Sequence, residues 1–276
     1  MFGVRYTEWD FRYALGRLGF YSDGPIRIGY RAATVTGPAR MSDGTRVWVR
    51  VGTVADHVVW MRPEAIEEAS REVSFLVPMP HVLGSFTWSR PDADEGVDRR
   101  ARAHVFAYVE GAPVSPEPMI REDPSVDEVW WDDLRRAHDR ISEAGWSGPG
   151  RSERRVRRWV SSLAGERFAD TEIEWIPQHN DFHWQNLLAP KLTVVDWEGF
   201  SLAPAGSDAA YLLIYSLTHP PTADRVRDLF SDVLSGESGE MAQVFAAANV
   251  LTAVENGFHD DLREPIRDHV KSLLAD

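Results

Sequence analysis

Apolar positions along this chain change their period several times, and the changes mark out its elements. From Thr7 to Leu18, apolar side chains at Trp9, Tyr13, Leu15 and Leu18 recur at helical intervals before Gly19, which predicts a short amphipathic helix. Between Ile26 and Val51 the period drops to two. The runs RAATV and TRVWVRV alternate, and Ser42-Asp43-Gly44 between them is a hairpin signal, so antiparallel strands are expected. Pro63 opens a second helical run, PEAIEEASREVSFL, with Ile66, Ala69, Val73 and Leu76 on one face. Pro78 to Trp88 and His104 to Val109 read as two further strands, separated by the charged loop PDADEGVDRR.

Later in the chain the helical period prevails. Pro113 to Asp127 is rich in Pro, Glu and Asp and reads as a loop, Val129 to Ile141 as a helix, and Ser152 as the cap of SERRVRRWVSSL. After Asp208, AAYLLIYSL, ADRVRDLFSDVL, MAQVFAAANVLTAV and EPIRDHVKSLL all carry apolar residues at helical spacing. Strands with two helices, then mostly helices, predict an α+β chain, and 276 residues suit either one large domain or two lobes. Two lobes fit the polar motif of the second half, His179 to Glu198, and the expected division is then an antiparallel-sheet lobe over 1–108 and a mainly helical lobe over 109–276.

Composition narrows the chemistry. The 276 residues include no cysteine, which excludes disulfides, thiol chemistry and cysteine-ligated metals. A net charge of −13 argues against nucleic acid and favours a cationic small-molecule partner, although surplus acid also serves solubility. No apolar run reaches the ~18 residues of a membrane span. The opening segment lacks the apolar core of a signal peptide, so a cytoplasmic protein is expected.

One stretch carries a reaction. His179 to Glu198, HNDFHWQNLLAPKLTVVDWE, fits H-x-D-x-x-x-x-N at its start, with Asp181 and Asn186 at the polar positions. A second acid, Asp196, follows the apolar run Leu192 to Val195, which reads as a short strand. Phosphoryl transfer needs an in-line hydroxyl, a carboxylate beside the attacking oxygen and cations on the phosphates. One base, Asp181, and two metal ligands, Asn186 and Asp196, meet that need with Mg²⁺.

These residues resemble the aminoglycoside phosphotransferase-like small-molecule kinases, which share the two-lobed protein-kinase fold. The segments HNDFH..N and VVDWE match the family's H-G-D-h-H-x-x-N and h-h-D-W/F-E. GSDAAYLL (Gly206 to Leu213) looks like its downstream G-D-x-x-x-D-L-A, with Asp208 as the structural acid. Asn180 for Gly and Trp184-Gln185 for Pro and a small residue are departures.

The resemblance implies ATP or GTP as phosphoryl donor and a cationic acceptor such as an aminoglycoside. It places Arg50 where the family's strand cation holds the phosphates; Lys191 and Lys271 are the only lysines, so the first lobe has none. Glu72 is expected to meet that cation, with Glu64, Glu67 and Glu68 as possible substitutes. The Ala107 carbonyl and the Val109 amide are expected to hold adenine, and His138 to be a buried structural histidine. No G-x-G-x-x-G loop is present among Gly24, Gly29 and Gly37. Acids after Asp208, among them Asp224, Asp228, Glu255, Asp260 and Asp261, are candidates for binding ammonium groups. Two rival readings are a metabolite kinase acting on an amino alcohol or sugar and a nucleotide-binding protein with little turnover.

Overall fold

In a computed structural model, residues 7–29, 32–54, 63–91 and 98–275 are described. Their contacts divide into two units, one running to Ser74 and including Met79–Glu110, the other formed by Phe75–Pro78 and the chain from Gly111.

The alternating stretches of the first unit form strands. β1 (Tyr21–Ser22), β2 (Arg27–Ile28), β3 (Thr34–Arg40), β4 (Arg46–Val54), β5 (Val82–Pro91) and β6 (Asp98–Ala107) make an antiparallel sheet in the order β1-β3-β4-β6-β5, with β2 on β3. The Ser42-Asp43-Gly44 turn closes as its chemistry requires. The Met41 amide donates to the Thr45 carbonyl (2.9 Å), Asp43 Oδ1 accepts from the Thr45 amide, and Gly44 takes the left-handed φ of 87°.

Alternation then sorts the two faces. Val47, Val49 and Val51 on β4 and Ala101, Ala103 and Val105 on β6 are buried together with Phe11, Ala14 and Leu15 of helix α1 (Glu8–Leu18). The opposite face therefore carries Trp48, Arg50 and Gly52 from β4 and Phe106, His104 and Arg102 from β6, in register. Helix α2 (Pro63–Val73) buries Ile66, Ala69 and Val73, whereas Leu76 lies beyond its end. β5 and β6 also run into the stretch expected to be loop, because Arg100-Ala-Arg-Ala alternates as a strand does; residues 92–97 lie outside the description.

In the second unit, β7 (Ala112–Pro113), β9 (Leu187–Ala189) and β10 (Thr193–Val194) form one small sheet, and β8 (Trp175–Gln178) and β11 (Ser201–Pro204) another. Helices α3 (Glu128–Ser142), α4 (Glu153–Ala164), α5 (Ser207–Ile214), α6 (Pro220–Leu229), α7 (Ser231–Leu234), α8 (Gly236–Glu255) and α9 (Arg263–Leu273) complete it. The helical run expected from Ala223 to Leu234 is interrupted at Phe230, a fully buried residue whose φ of −114° leaves the helical range. Ser152 stands at the N-cap of α4 but makes no side-chain capping bond. His138 is buried against Phe230, as expected for a structural histidine. Among the described residues no helix is long and apolar enough to cross a membrane.

Candidate active site

Asp208 fixes the loop that follows β8. Its carboxylate is fully buried at the start of α5 and accepts from the backbone amides of His179 (2.7 Å) and Asn180 (2.8 Å). Its own amide donates to Gln178 Oε1 (2.8 Å). Two N–H groups that the turn leaves without backbone partners are thereby satisfied inside the protein. Burial pushes this carboxyl up, while His179 and the two amides oppose the shift.

His179 links the loop to the strand that precedes Asp196. Its Nε2 donates to the Val195 carbonyl (3.0 Å), and its Nδ1 accepts from the Asp181 amide (3.3 Å). That pairing fixes one neutral tautomer, and burial lowers the pKa accordingly. Asn180, standing where the resembling family has Gly, adopts a left-handed φ of 65°. Asn tolerates that region better than other side chains, and here its amide also works. Nδ2 donates to the carbonyls of Gln178 (3.2 Å) and Ser201 (3.1 Å) and to Ser201 Oγ, while Oδ1 accepts from Arg151 Nε (3.1 Å).

These anchors present Asp181 with its side chain 46% exposed. Asn186 Nδ2 donates to Asp181 Oδ2 and to its carbonyl (both 2.9 Å), and His183 Nε2 stands 3.3 Å from Oδ1. Withdrawal from water pushes this carboxyl up, but His183 first, then His179 and Asn186, hold it down at about 2. Asp181 is thus ionised at neutral pH. Asn186 is buried, and its backbone carbonyl accepts from the Val195 amide (2.9 Å), one residue before Asp196. Asp196 itself has a left-handed φ of 69° and opens a single 3₁₀ turn, Trp197–Gly199. Trp184, the other departure, is an anchor. It is fully buried against Trp130 and Trp131, and its indole N–H donates to Ser216 Oγ (3.0 Å).

In the first unit, Arg50 stands on β4, opposite Thr36 and His104. No ion pair joins it to Glu72, which has no hydrogen bond or ion pair among the described residues. Of the substitutes considered from sequence, Glu64 Oε1 lies 3.8 Å from Arg102 Nη1 and Glu67 is turned onto the sheet. It pairs with Arg102, accepts from Ser85 Oγ (2.8 Å) and lies 3.2 Å from His104 Nε2. Glu72 is only half-buried, one residue from the end of the helix. Sequence reading passed over Arg102, His104 and Ser85; the Arg-Ala-Arg-Ala alternation was the available sign for Arg102.

At the end of β6, the Ala107 amide donates to the His81 carbonyl (2.8 Å). The Val109 carbonyl accepts from Trp48 Nε1 (3.5 Å), and the Val109 amide makes no hydrogen bond among the described residues. Trp48 stacks on Tyr108 at 5.8 Å.

This architecture has solved counterparts. Aminoglycoside phosphotransferase APH(4)-Ia is similar at a TM-score of 0.62 and 11% identity, over 96% of this chain and 97% of that one. The chain has the fold of the protein-kinase-like small-molecule kinases. Amicoumacin kinase hAmiN, solved with AMP-PNP, Ca²⁺ and Ami, is similar at 0.60 and 12% identity over 96% and 94% of the two chains. Choline kinase LicA from Streptococcus pneumoniae gives 0.54 and 14% over 97% and 98%. A thermostable mutant of APH(4)-Ia has been solved with ADP and hygromycin B. No family model matches the chain, and no curated protein matches it by sequence.

Proposed function

We propose that this kinase-fold protein moves the γ-phosphoryl group of ATP or GTP to an alcohol oxygen of a small molecule. The observation that carries the reading is Asp181, a half-exposed, ionised carboxylate held from one side by Asn186 and from the other by His183. In this role Asp181 orients the acceptor hydroxyl and takes its proton as the oxygen attacks phosphorus.

Asn186 and Asp196 are the candidates for magnesium, and their donor chemistry fits. Asn186 spends its Nδ2 on Asp181, which leaves the amide oxygen for a cation; with the Asp196 carboxylate this is a hard, all-oxygen set. Among the described residues no three His, Cys, Asp or Glu side chains gather to hold a metal, so the remaining ligands would be phosphate oxygens and water. When bound, the ion neutralises charge on the phosphates. Arg50 is assigned to those phosphates by its guanidinium fork, and the Ala107 carbonyl and Val109 amide to the adenine edge.

The resemblance and the net charge favour an aminoglycoside or another cationic natural product as acceptor. One observation supports a second reading, a less charged hydroxylated metabolite. Asp224, Asp260 and Asp261 already pair with Arg227, Arg263 and Arg121. Coupled ADP release with aminoglycosides, amino alcohols and sugars separates the two. Magnesium-dependent turnover that disappears in Asp181→Ala is the expected result. Tight nucleotide binding with no turnover across the panel overturns the enzyme reading.

A further inference from the structure

One carboxylate on helix α2 collects partners from two strands. Glu67 Oε1 meets Arg102 Nη2 on β6, Ser85 Oγ on β5 and the His104 ring on β6, while Arg102 also donates to Ser85 Oγ (3.2 Å). The side chains of Glu67 and Arg102 are 19% and 21% exposed, and His104 is buried. Buried ion pairs persist where each member is well partnered, and here the partners of Glu67 come from two strands. The second carboxylate oxygen, Oε2, is buried and accepts no hydrogen bond.

The same face carries Arg50. In the β4–β6 register Arg50 lies opposite His104 and Gly52 opposite Arg102, so the two arginines are diagonal neighbours. The Arg50 side chain runs forward along its own strand, because a Cβ added at Gly52 would lie 3.5 Å from its Nη1. The Arg50 guanidinium thus lies over Gly52, the residue opposite Arg102 in the ladder, whereas the Arg102 guanidinium is turned to Glu67 and Ser85. Repulsion between the two arginines falls when one of them is neutralised and drawn aside.

We propose that Glu67 and Arg102 are positioning residues for Arg50: Glu67 neutralises Arg102, draws it toward α2, and so fixes the Arg50 guanidinium over Gly52 in the place from which it grips the nucleotide phosphates. The ion pair between strand and helix is carried by β6, one strand away from the phosphate-gripping arginine. Burial lowers the pKa of His104; Glu67 opposes the shift, and the charges of Arg50 and Arg102 add to it. Arg102, charged at any ordinary pH, is the permanent cation that balances Glu67.

The nucleotide part of this proposal rests on the phosphotransferase reading, and two measurements keep them apart. The first follows the Arg50 guanidinium Nε–H by NMR without nucleotide, assigned through Arg50→Lys. Glu67→Gln is expected to shift or broaden that signal, and the charge swap Glu67→Arg with Arg102→Glu to restore it at least in part. The second measures an ATP analogue with Mg²⁺ by calorimetry. Glu67→Gln is expected to weaken binding roughly tenfold, the scale of one charged hydrogen bond. In turnover it should raise the nucleotide KM more than it lowers kcat. A folded Glu67→Gln protein with an unmoved Arg50 signal, or with analogue affinity within about twofold of wild type, overturns the proposal. A moved Arg50 signal in a protein whose wild type binds no nucleotide overturns the phosphotransferase reading and leaves the positioning of Arg50 standing.

Discussion

Asp181 in the second unit and Glu67 in the first are both carboxylates held at about 2, yet their surroundings are opposite. Burial pushes both up. Around Asp181 the counterweight is two imidazoles and an amide from one stretch of chain, and the side chain stays 46% exposed. Around Glu67 it is His104, Ser85 and Arg102, from strands 18 to 37 residues later, and 19% remains exposed. A low pKa alone therefore does not tell the two proposed roles apart, reacting for Asp181 and positioning for Glu67; exposure and the origin of the partners are what distinguish the two carboxylates. Substitution offers the sharpest contrast. Asp181→Ala is expected to lower phosphoryl transfer by roughly 10²- to 10⁴-fold in single-turnover assays, with nucleotide affinity nearly unchanged, because a general base acts in the transition state. Glu67→Gln is expected to do the reverse. Similar effects of both variants on rate and affinity would erase the distinction.

The next largest effect tests what the exposed carboxylate stands on. Asp208→Ala strips acceptors from the buried amides of His179 and Asn180 and is expected to cost about 3 to 5 kcal/mol in denaturant unfolding. Activity should fall with it. Asp208→Asn keeps one acceptor oxygen and should lie between. If Asp208→Ala unfolds like wild type, the loop holds its shape by other means.

Acid separates the pair by stability. The pKa of Glu67 is lowered from 4.5 to about 2, so its stabilisation is fully present above pH 4.5 and is lost as pH falls through about 2. At 1.36 kcal/mol per unit this amounts to about 3 kcal/mol. Unfolding at about pH 5 and about pH 2.5 should show a smaller acid loss in Glu67→Gln than in wild type. The corresponding difference for Asp181→Asn should be smaller, since water screens its more exposed carboxylate. Equal differences would mean that the two sites are buried alike.

The same contrast decides what could be read from the sequence. The loop was legible because its contacts are local: Asp181 to Asn186 spans five residues, and the spacing of HNDFHWQN already sets their order. The fold class was legible too, since period two in β3 and β4 and helical periods after Asp208 survive packing on both faces. Glu67 was only one of four candidate acids on α2. Its selection depends on how α2 lies against β5 and β6, a tertiary fact with no trace in helical periodicity. Arg102 and His104 were hidden for the same reason: His104 read only as the first residue of a strand, and Arg102 lay between that strand and the charged loop. Trp184 read as a departure from the family, but a tryptophan trio drawn from α3 and the loop gives it a packing role.

The smallest effect concerns Asn180, where backbone and side chain make opposite demands. Glycine at this φ of 65° would carry no strain, which suits the resembling family's Gly, but it would lose the amide's bonds to Gln178, Ser201 and Arg151. The bonds lie in a partly buried turn and outweigh the strain of Asn, so Asn180→Gly is expected to cost about 1 to 2 kcal/mol. Asn180→Ala loses the same bonds and adds the left-handed penalty, about 1 kcal/mol more. The predicted order of stability is Asn, Gly, Ala, read by denaturant unfolding, with Asp181-dependent turnover retained in the Gly variant because His179 and Asp208 still hold the loop. A Gly variant more stable than wild type would reverse the balance: Asn180 would then be a cost to the fold, and its reason would have to lie in chemistry beside Asp181.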